Sequence, residues 1–485
     1  MTQTKPDNYP TAPAHLWEHF YQFTQRPRPS KQEQQIRAYL IEQAQQHDLQ
    51  WAQDDIGNIV IRVPATPGRE DRPVVVIQNH VDMVTVKTDD KDHNFATDPL
   101  QLQVKDGWLK ADRTTLGADN GLGCAAALAV MTDPEVEHPP LELLFTVDEE
   151  TGLGGALNLD ASLLTGKVML NLDTEDWGEI FIGCAGGRDW RFRKALQRES
   201  LPAGYLGLKL NINGLSGGHS GIQIHQQLGN AIKLAAQWLY TAEEFGVRLG
   251  DLNAGVAHNV IPRALTCHLA CPSEAQTQLQ ELTQILLQRW QSYLPEADQN
   301  LTVTLEPCDL DQVLEAGDHR RVRQLLLALP HGALTYNADQ PADLVDLSVN
   351  LARAQINKDG LEVETSLRFF NACEAEGLTQ TLLSTAEAFD LEIEEGSSYP
   401  SWLPDFSNPL LDRVKQCYRE RYGETPAVKA IHAGLECGIL IDKMPGTHAI
   451  SFGPTIRGAH SPSERLEIET VEPFWQLLQD VLKSF

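Results

Sequence analysis

At 485 residues the chain exceeds what one hydrophobic core ordinarily supports, so two or more domains are expected. Its 42% hydrophobic and 22% charged residues are those of a soluble globular protein, and its net charge of -28 disfavours nucleic-acid backbones and anionic membrane surfaces as partners. The 8 cysteines are scattered, with only Cys267 and Cys271 close together, which argues against a zinc ribbon or disulfide framework and for a reducing cytoplasm.

The first residues, Met1 to Pro10, hold no apolar run, so no secretory signal is expected. Residues 14 to 49 have helical periodicity, with Ser30 as a candidate cap. Turn chemistry at Asp55 to Asn58 precedes a short strand, Ile59 to Val63. Val74 to Asn79 then reads as a buried strand running into His80 and Asp82. In α/β sheets the C-terminal ends of strands are where ligands and metals sit. Residues 84 to 116 are polar, with Asp106-Gly107 as a turn between short strands. Leu116 to Gly123 is a glycine-rich loop opening an apolar helix that runs to Met131. It lacks the Gly-Lys-Ser/Thr ending of a phosphate loop, and that apolar run is too short to span a bilayer. The plain role for Asp119 or Asn120 there is a helix cap.

A second buried strand, Leu141 to Val147, ends in Asp148-Glu149-Glu150, and a third, Val168 to Leu172, ends in Asp173. Late in the chain, Thr447 to Phe452 reads as a strand whose following loop carries His460. Four strand ends and one helix start thus deliver His or carboxylate side chains. Between them, residues 188 to 399 lack metal-like residues and read as an inserted domain, with catalytic segments 1–187 and 400–485 around it. Within the insert, Gly217-Gly218-His219-Ser220-Gly221 follows the strand Leu206 to Ile212. An amphipathic helix runs from about Leu228 to Phe245, and the strand Val363 to Phe370 holds Arg368. Its strand-helix-strand pattern occurs twice, and Ser397 to Pro400 reads as the return linker.

Two metal ions about 3.5–4 Å apart need a bridging carboxylate and terminal ligands on each side. Asp119 can bridge, His80 and Asp173 can complete one site, and Glu150 and His460 the other. Histidine and carboxylate without cysteine suit zinc, with manganese or cobalt as substitutes. Asp82 can then reach either the imidazole of His80 or the group it serves, and Glu149 is left to act as general base.

His80-x-Asp82, Gly117-Ala118-Asp119-Asn120-Gly121, Asp148-Glu149-Glu150-Thr151-Gly152, Asn171-Leu172-Asp173 and His460 together resemble the dinuclear zinc peptidases that include carboxypeptidase G, aminoacylase and the dipeptidases. Ile431 to Gly438, with Gly217 to Gly221, points within that family to the dipeptidases. The resemblance implies an α/β catalytic domain with a mixed central sheet flanked by helices, plus an inserted α+β lid. It implies hydrolysis of small dipeptides, Xaa-His included, in a cytoplasmic enzyme that pairs through its lid. It also implies that Asp82 counts as catalytic, that His219 polarises the scissile carbonyl, and that Asn259 and Arg368 hold substrate. Against these stand a glycine-turn role for His219, a surface-strand role for Arg368 and a plain surface loop around His460. Two further functions share the scaffold: an amidohydrolase of N-acyl amino acids, and a non-catalytic peptide-binding protein. The retained Glu149 argues against the latter.

Overall fold

Four apolar strands lie side by side and parallel at the centre of an eight-stranded sheet, in a computed structural model that describes residues 4–337 and 344–485. They are Leu141–Thr146, Val75–His80, Val168–Asn171 and His448–Ser451, in that spatial order. Ile59–Val63 and then Gln50–Gln53 extend the sheet antiparallel on one side, and Glu179–Cys184 and Ala427–Ile431 lie on the other. The sheet is therefore mixed, as the resemblance implies. Every residue of Val75–His80 and Leu141–Thr146 is buried, because both faces of these central strands are covered. The helices Ala14–Thr24, Ala118–Thr132 and Ile468–Lys483 share their core, with Leu16, Phe20, Leu122, Leu128, Phe474 and Leu478 fully buried. Each such side chain contributes roughly 1.5–3 kcal/mol of transfer free energy. Parallel alignment puts the C-terminal ends of all four strands on one edge of the sheet, so their following residues converge.

The chain divides into two compact units: Met1–Cys184 with Trp402–Ala430 and Leu435–Phe485, and Ala185–Ser401 with Ile431–Gly434. In the second, nine antiparallel strands form one sheet among the described residues, from Thr302–Pro307 at one edge to Glu392–Tyr399 at the other. The helices Ala231–Thr241, Gln276–Gln291, Ala316–Ala328 and Ala372–Ala388 share its core. The first of these begins where Asn230 Oδ1 accepts the N–H groups of Ile232 and Lys233, three residues inside the expected start.

Two local expectations fail. The helical stretch 14–49 is two helices, Ala14–Thr24 and Gln34–Gln46, parted by a segment containing Pro27 and Pro29. Ser30 caps neither of them. Ser397 to Tyr399 is no linker, because it pairs as the edge strand Glu392–Tyr399 against Gly186–Lys194.

Candidate metal centre

His80 ends its strand with its side chain almost fully buried. Its Nε2 stands 3.0 Å from Oδ1 of Asp119 and 3.3 Å from Oδ1 of Asp173. The other Asp119 oxygen, Oδ2, is 3.1 Å from Nε2 of His460, and that same nitrogen is 3.1 Å from Oε2 of Glu150. One carboxylate is thus shared between two histidines, and each histidine faces a second carboxylate of its own. The five expected ligands come together within the first unit, in the pairing expected from the strand ends. Ligand atoms of His80, Asp119 and Glu150 all lie within 4.8 Å of one another.

The local backbone explains how Asp119 reaches this position. The helix Ala118–Thr132 has the left-handed Gly117 at its cap position, with no side-chain cap, and Asp119 itself has non-helical angles (φ -77°, ψ 114°). The capping role is therefore not taken; the carboxylate points to the histidines instead, and Asn120 Nδ2 donates to the Leu172 carbonyl at 2.6 Å. Glu464, 2% exposed, accepts the N–H groups of Leu116, Gly117 and Ala118 at 2.7, 2.9 and 2.8 Å. From the other side the buried guanidinium of Arg28 donates to the Gly117 carbonyl, and to the Val81 and Asp82 carbonyls at 2.9 and 2.7 Å. A Cβ at Gly117 would collide with that guanidinium, so glycine is required there on two counts.

Asp82 supports the cluster from behind. Its Oδ1 lies 3.3 Å from Nδ1 of His80 and accepts the Glu149 N–H at 3.1 Å. Its Oδ2 accepts the Glu150 N–H at 3.2 Å and the Ser30 hydroxyl at 2.7 Å. Arg28, Ser30 and Glu464 carry no metal-ligand signal of their own, and sequence reasoning assigned none of them to the site.

Charge is concentrated here. Burial disfavours the cationic form of His80, but Asp173, Asp119 and Asp82 outweigh it and hold the imidazole well above its usual range. His460 behaves alike: burial opposes, and Asp119 and Glu150 prevail, pushing it up to about 12. Burial is the leading cause that raises Asp173, to about 6, and that raises Glu149 well above the usual carboxylate range. Among the other neighbours of Glu149, His80 opposes the rise, while Glu150, Asp173 and Glu436 add to it. Oε1 of Glu150 is buried with no hydrogen-bond partner among the described residues. Converging acceptors with an orphaned carboxylate oxygen fit cation binding, and the imidazole-plus-oxygen donor set, with no sulfur, fits zinc, manganese or cobalt.

The remaining expected residues lie in the second unit. Nδ1 of His219 accepts the N–H groups of Gly221 and Ile222 at 3.1 and 3.2 Å, which places the ring proton on Nε2 and makes that atom a donor. Arg368 is 6% exposed and donates from Nη1 to the Tyr399 hydroxyl at 3.3 Å, so it is no surface arginine. A Cβ at Gly221 would come within 3.0 Å of the His219 ring and 3.1 Å of Arg368 Nε, so both side chains flank this glycine. The Asn259 carbonyl accepts the Ser220 N–H at 2.8 Å, and Asn350 pins its loop through the His258 and Val260 carbonyls. His432 lies in the Ile431 to Gly438 motif, but nothing in its local sequence marks a role for it. This buried imidazole sits 2.7 Å from the Ser348 hydroxyl and is pushed down to about 3, chiefly by burial.

A parallel-centred mixed sheet whose strand ends supply a shared aspartate, two histidines and flanking carboxylates frames a candidate metal centre. The chain belongs to peptidase family M20/M25/M40, whose model matches residues 76–484. It is 38% identical over 475 residues to the cytosol non-specific dipeptidase of Escherichia coli (strain K12), covering 98% of each chain. Its fold matches the crystal structure of an aminoacylhistidine dipeptidase from Vibrio alginolyticus with a TM-score of 0.84 at 36% identity, over 98% of this chain and 97% of that one. The aminopeptidase PepT of Bacillus cereus shares the fold at a TM-score of 0.55 and 15% identity, over 97% and 98% of the two chains.

Proposed function

We propose that this chain is a metal-dependent dipeptidase whose substrates include Xaa-His dipeptides. The observation that carries the reading is the Asp119 carboxylate, which offers one oxygen toward His80 and the other toward His460. The names of the two most similar relatives described above support the substrate class. His80, Asp119 and Asp173 would hold one ion, and His460, Asp119 and Glu150 the other. When bound, such a pair of ions polarises the scissile carbonyl and makes water a stronger acid.

The chain's own residues supply the proton chemistry. Glu149 takes the proton of the attacking water and returns it to the leaving amine. Its burial among other carboxylates strengthens its hold on that proton, and positioned base catalysis contributes typically ~10²–10⁴-fold. His219 donates from Nε2 to the oxyanion, and Arg368 and Asn259 hold substrate. The same reading carries a cytoplasmic location, supported by the relative's name and by the absence of disulfides among the eight cysteines. It also carries pairing of two copies through the second unit, which analytical ultracentrifugation checks.

The test is hydrolysis of a dipeptide panel against N-acetyl amino acids, before and after chelation and with zinc, manganese or cobalt restored. The expected result is dipeptide cleavage lost on chelation and regained with metal. Preference for N-acetyl amino acids would reassign the enzyme to amidohydrolysis, and full activity in metal-free protein would defeat the reading.

A further inference from the structure

Glu436, at the start of the helix Glu436–Lys443, is completely buried and lies outside the ligand set. Its Oε2 accepts from Gln78 Nε2 at 2.6 Å and stands 2.5 Å from Oγ1 of Thr146. Gln78 Nε2 also reaches Thr146 Oγ1 at 3.2 Å, and Gln78 Oε1 accepts from Asn171 Nδ2 at 2.6 Å. Asn171 Oδ1 in turn accepts the Ser451 hydroxyl. The network crosses all four central parallel strands. Gln78 lies two residues before His80, Asn171 two before Asp173, and Thr146 three before Glu149.

Strands buried on both faces are ordinarily apolar throughout, and polar side chains there cost desolvation. Here Val75–His80 and Val168–Asn171 turn from apolar to polar toward the ligand edge, and the other two strands end there in Thr146 and Ser451. Proton counting is met by a neutral Glu436. The Thr146 hydroxyl has one proton and two acceptors in reach, Glu436 Oε2 and the Asn79 carbonyl at 3.2 Å. A proton on Oε2 of Glu436, donated to Thr146, satisfies both contacts and still lets Oε2 accept from Gln78. Oε1 is buried without a hydrogen-bond partner among the described residues, an arrangement a neutral acid tolerates far better than a carboxylate. Burial pushes this carboxyl up to about 7, in the same direction.

We propose that Glu436 is a positioning residue for the metal centre: as a neutral carboxylic acid it ties Gln78 and Thr146, and through them Asn171 and Ser451, so that the strand ends bearing His80, Glu149, Glu150 and Asp173 stay in register. This rests on the metal-centre reading above. Supporting partners of this kind alter metal affinity by about 10–100-fold when removed.

The experiment titrates zinc into chelator-stripped protein against a chromophoric competitor, with circular dichroism and melting curves in parallel. Glu436→Leu, folded at the titration temperature, is expected to bind zinc about 10–100-fold more weakly. Glu436→Gln, neutral and of the same shape, keeps an oxygen that can accept from both Gln78 and the Thr146 hydroxyl, and is expected to bind zinc more tightly than Glu436→Leu. Thr146→Val cuts the network from the other strand and should weaken binding in the same direction. A merely structural role would lower the melting temperature and leave zinc affinity alone. The proposal is overturned by wild-type affinity in folded Glu436→Leu, or by Glu436→Gln binding no better than Leu, which would mean an ionised carboxylate is needed. Should Glu436→Leu not fold, wild-type affinity in Thr146→Val overturns it. A wild-type protein that takes up no zinc defeats the metal-centre reading itself.

Discussion

Oδ1 of Asp82 lies 3.3 Å from Nδ1 of His80, so the imidazole facing the ligand cluster is held from behind by a fully buried carboxylate. Because Asp82 also accepts the Glu149 and Glu150 N–H groups, it orients the proposed base and a candidate ligand together. Asp82→Asn keeps the shape but loses the charge that makes His80 a stronger donor. We expect metal affinity or activity to fall about 10–100-fold, read by zinc titration and dipeptide hydrolysis. Ser30→Ala removes one hydrogen bond to the same carboxylate and should cost only about 1 kcal/mol. Equal losses in the two variants would contradict this ordering.

Glu149→Gln removes the proposed base while leaving every expected ligand in place. The expected outcome is a fall in kcat of at least ~10²-fold with two metals retained by elemental analysis. Glu150→Gln should instead lose metal, because Glu150, not Glu149, stands 3.1 Å from His460. If Glu149→Gln sheds its metals with its activity, the two glutamates exchange roles.

Four of the candidate ligands, His80, Glu150, Asp173 and His460, were legible because each follows an apolar strand, and parallel strands bring such ends to one edge. Asp119 was legible only through its glycines, since a capping aspartate has the same local sequence. What escaped were the residues that hold this frame through main-chain atoms. Arg28 and Glu464 bind carbonyl and N–H groups of the Gly117 loop from 89 and 347 residues away, and main-chain acceptance leaves no spacing to read. Ser30 misled because an isolated serine before a periodic stretch looks like a cap, whereas Asp82 takes its hydroxyl. Arg368 was ambiguous because alternating strand faces do not tell which side another element covers.

Histidine chemistry in the second unit makes a pH prediction independent of metal. Nδ1 of His331 takes the Asn230 side-chain amide and the Leu351 N–H, at 3.2 and 3.3 Å, so the ring must be neutral. Burial pushes its pKa down to about 4. The folded value lies below the unfolded one, so the unfolded chain binds the proton first as the solution is acidified. Its stability contribution is complete above about pH 6.5 and falls away toward pH 4. At about 1.4 kcal/mol per pH unit, the loss approaches roughly 3 kcal/mol. Urea midpoints measured from pH 7 to 4 should fall less steeply in His331→Asn than in wild type, and identical slopes would remove His331 as the cause.

The last prediction concerns His219 and Arg368, which share Gly221 as a neighbour in the second unit. The two backbone N–H groups on Nδ1 commit His219 to donating from Nε2, a role matched to an oxyanion rather than to a metal. His219→Ala should therefore lower kcat by roughly 10²–10³-fold and change KM little. His219→Gln can donate from its amide and should recover part of that loss. Arg368 carries a guanidinium suited to a carboxylate, so Arg368→Ala should mainly raise KM for dipeptides with a free C-terminus. Against the matching dipeptide amides its effect should be smaller, because the charge it recognises is gone. Both variants should keep the metal content of wild type, since neither residue belongs to the ligand set. Steady-state kinetics on dipeptide and dipeptide-amide pairs, with metal analysis, separate these outcomes. Equal losses on the two substrates would take Arg368 out of carboxylate recognition, and near-wild-type kcat in His219→Ala would take that histidine out of the chemistry.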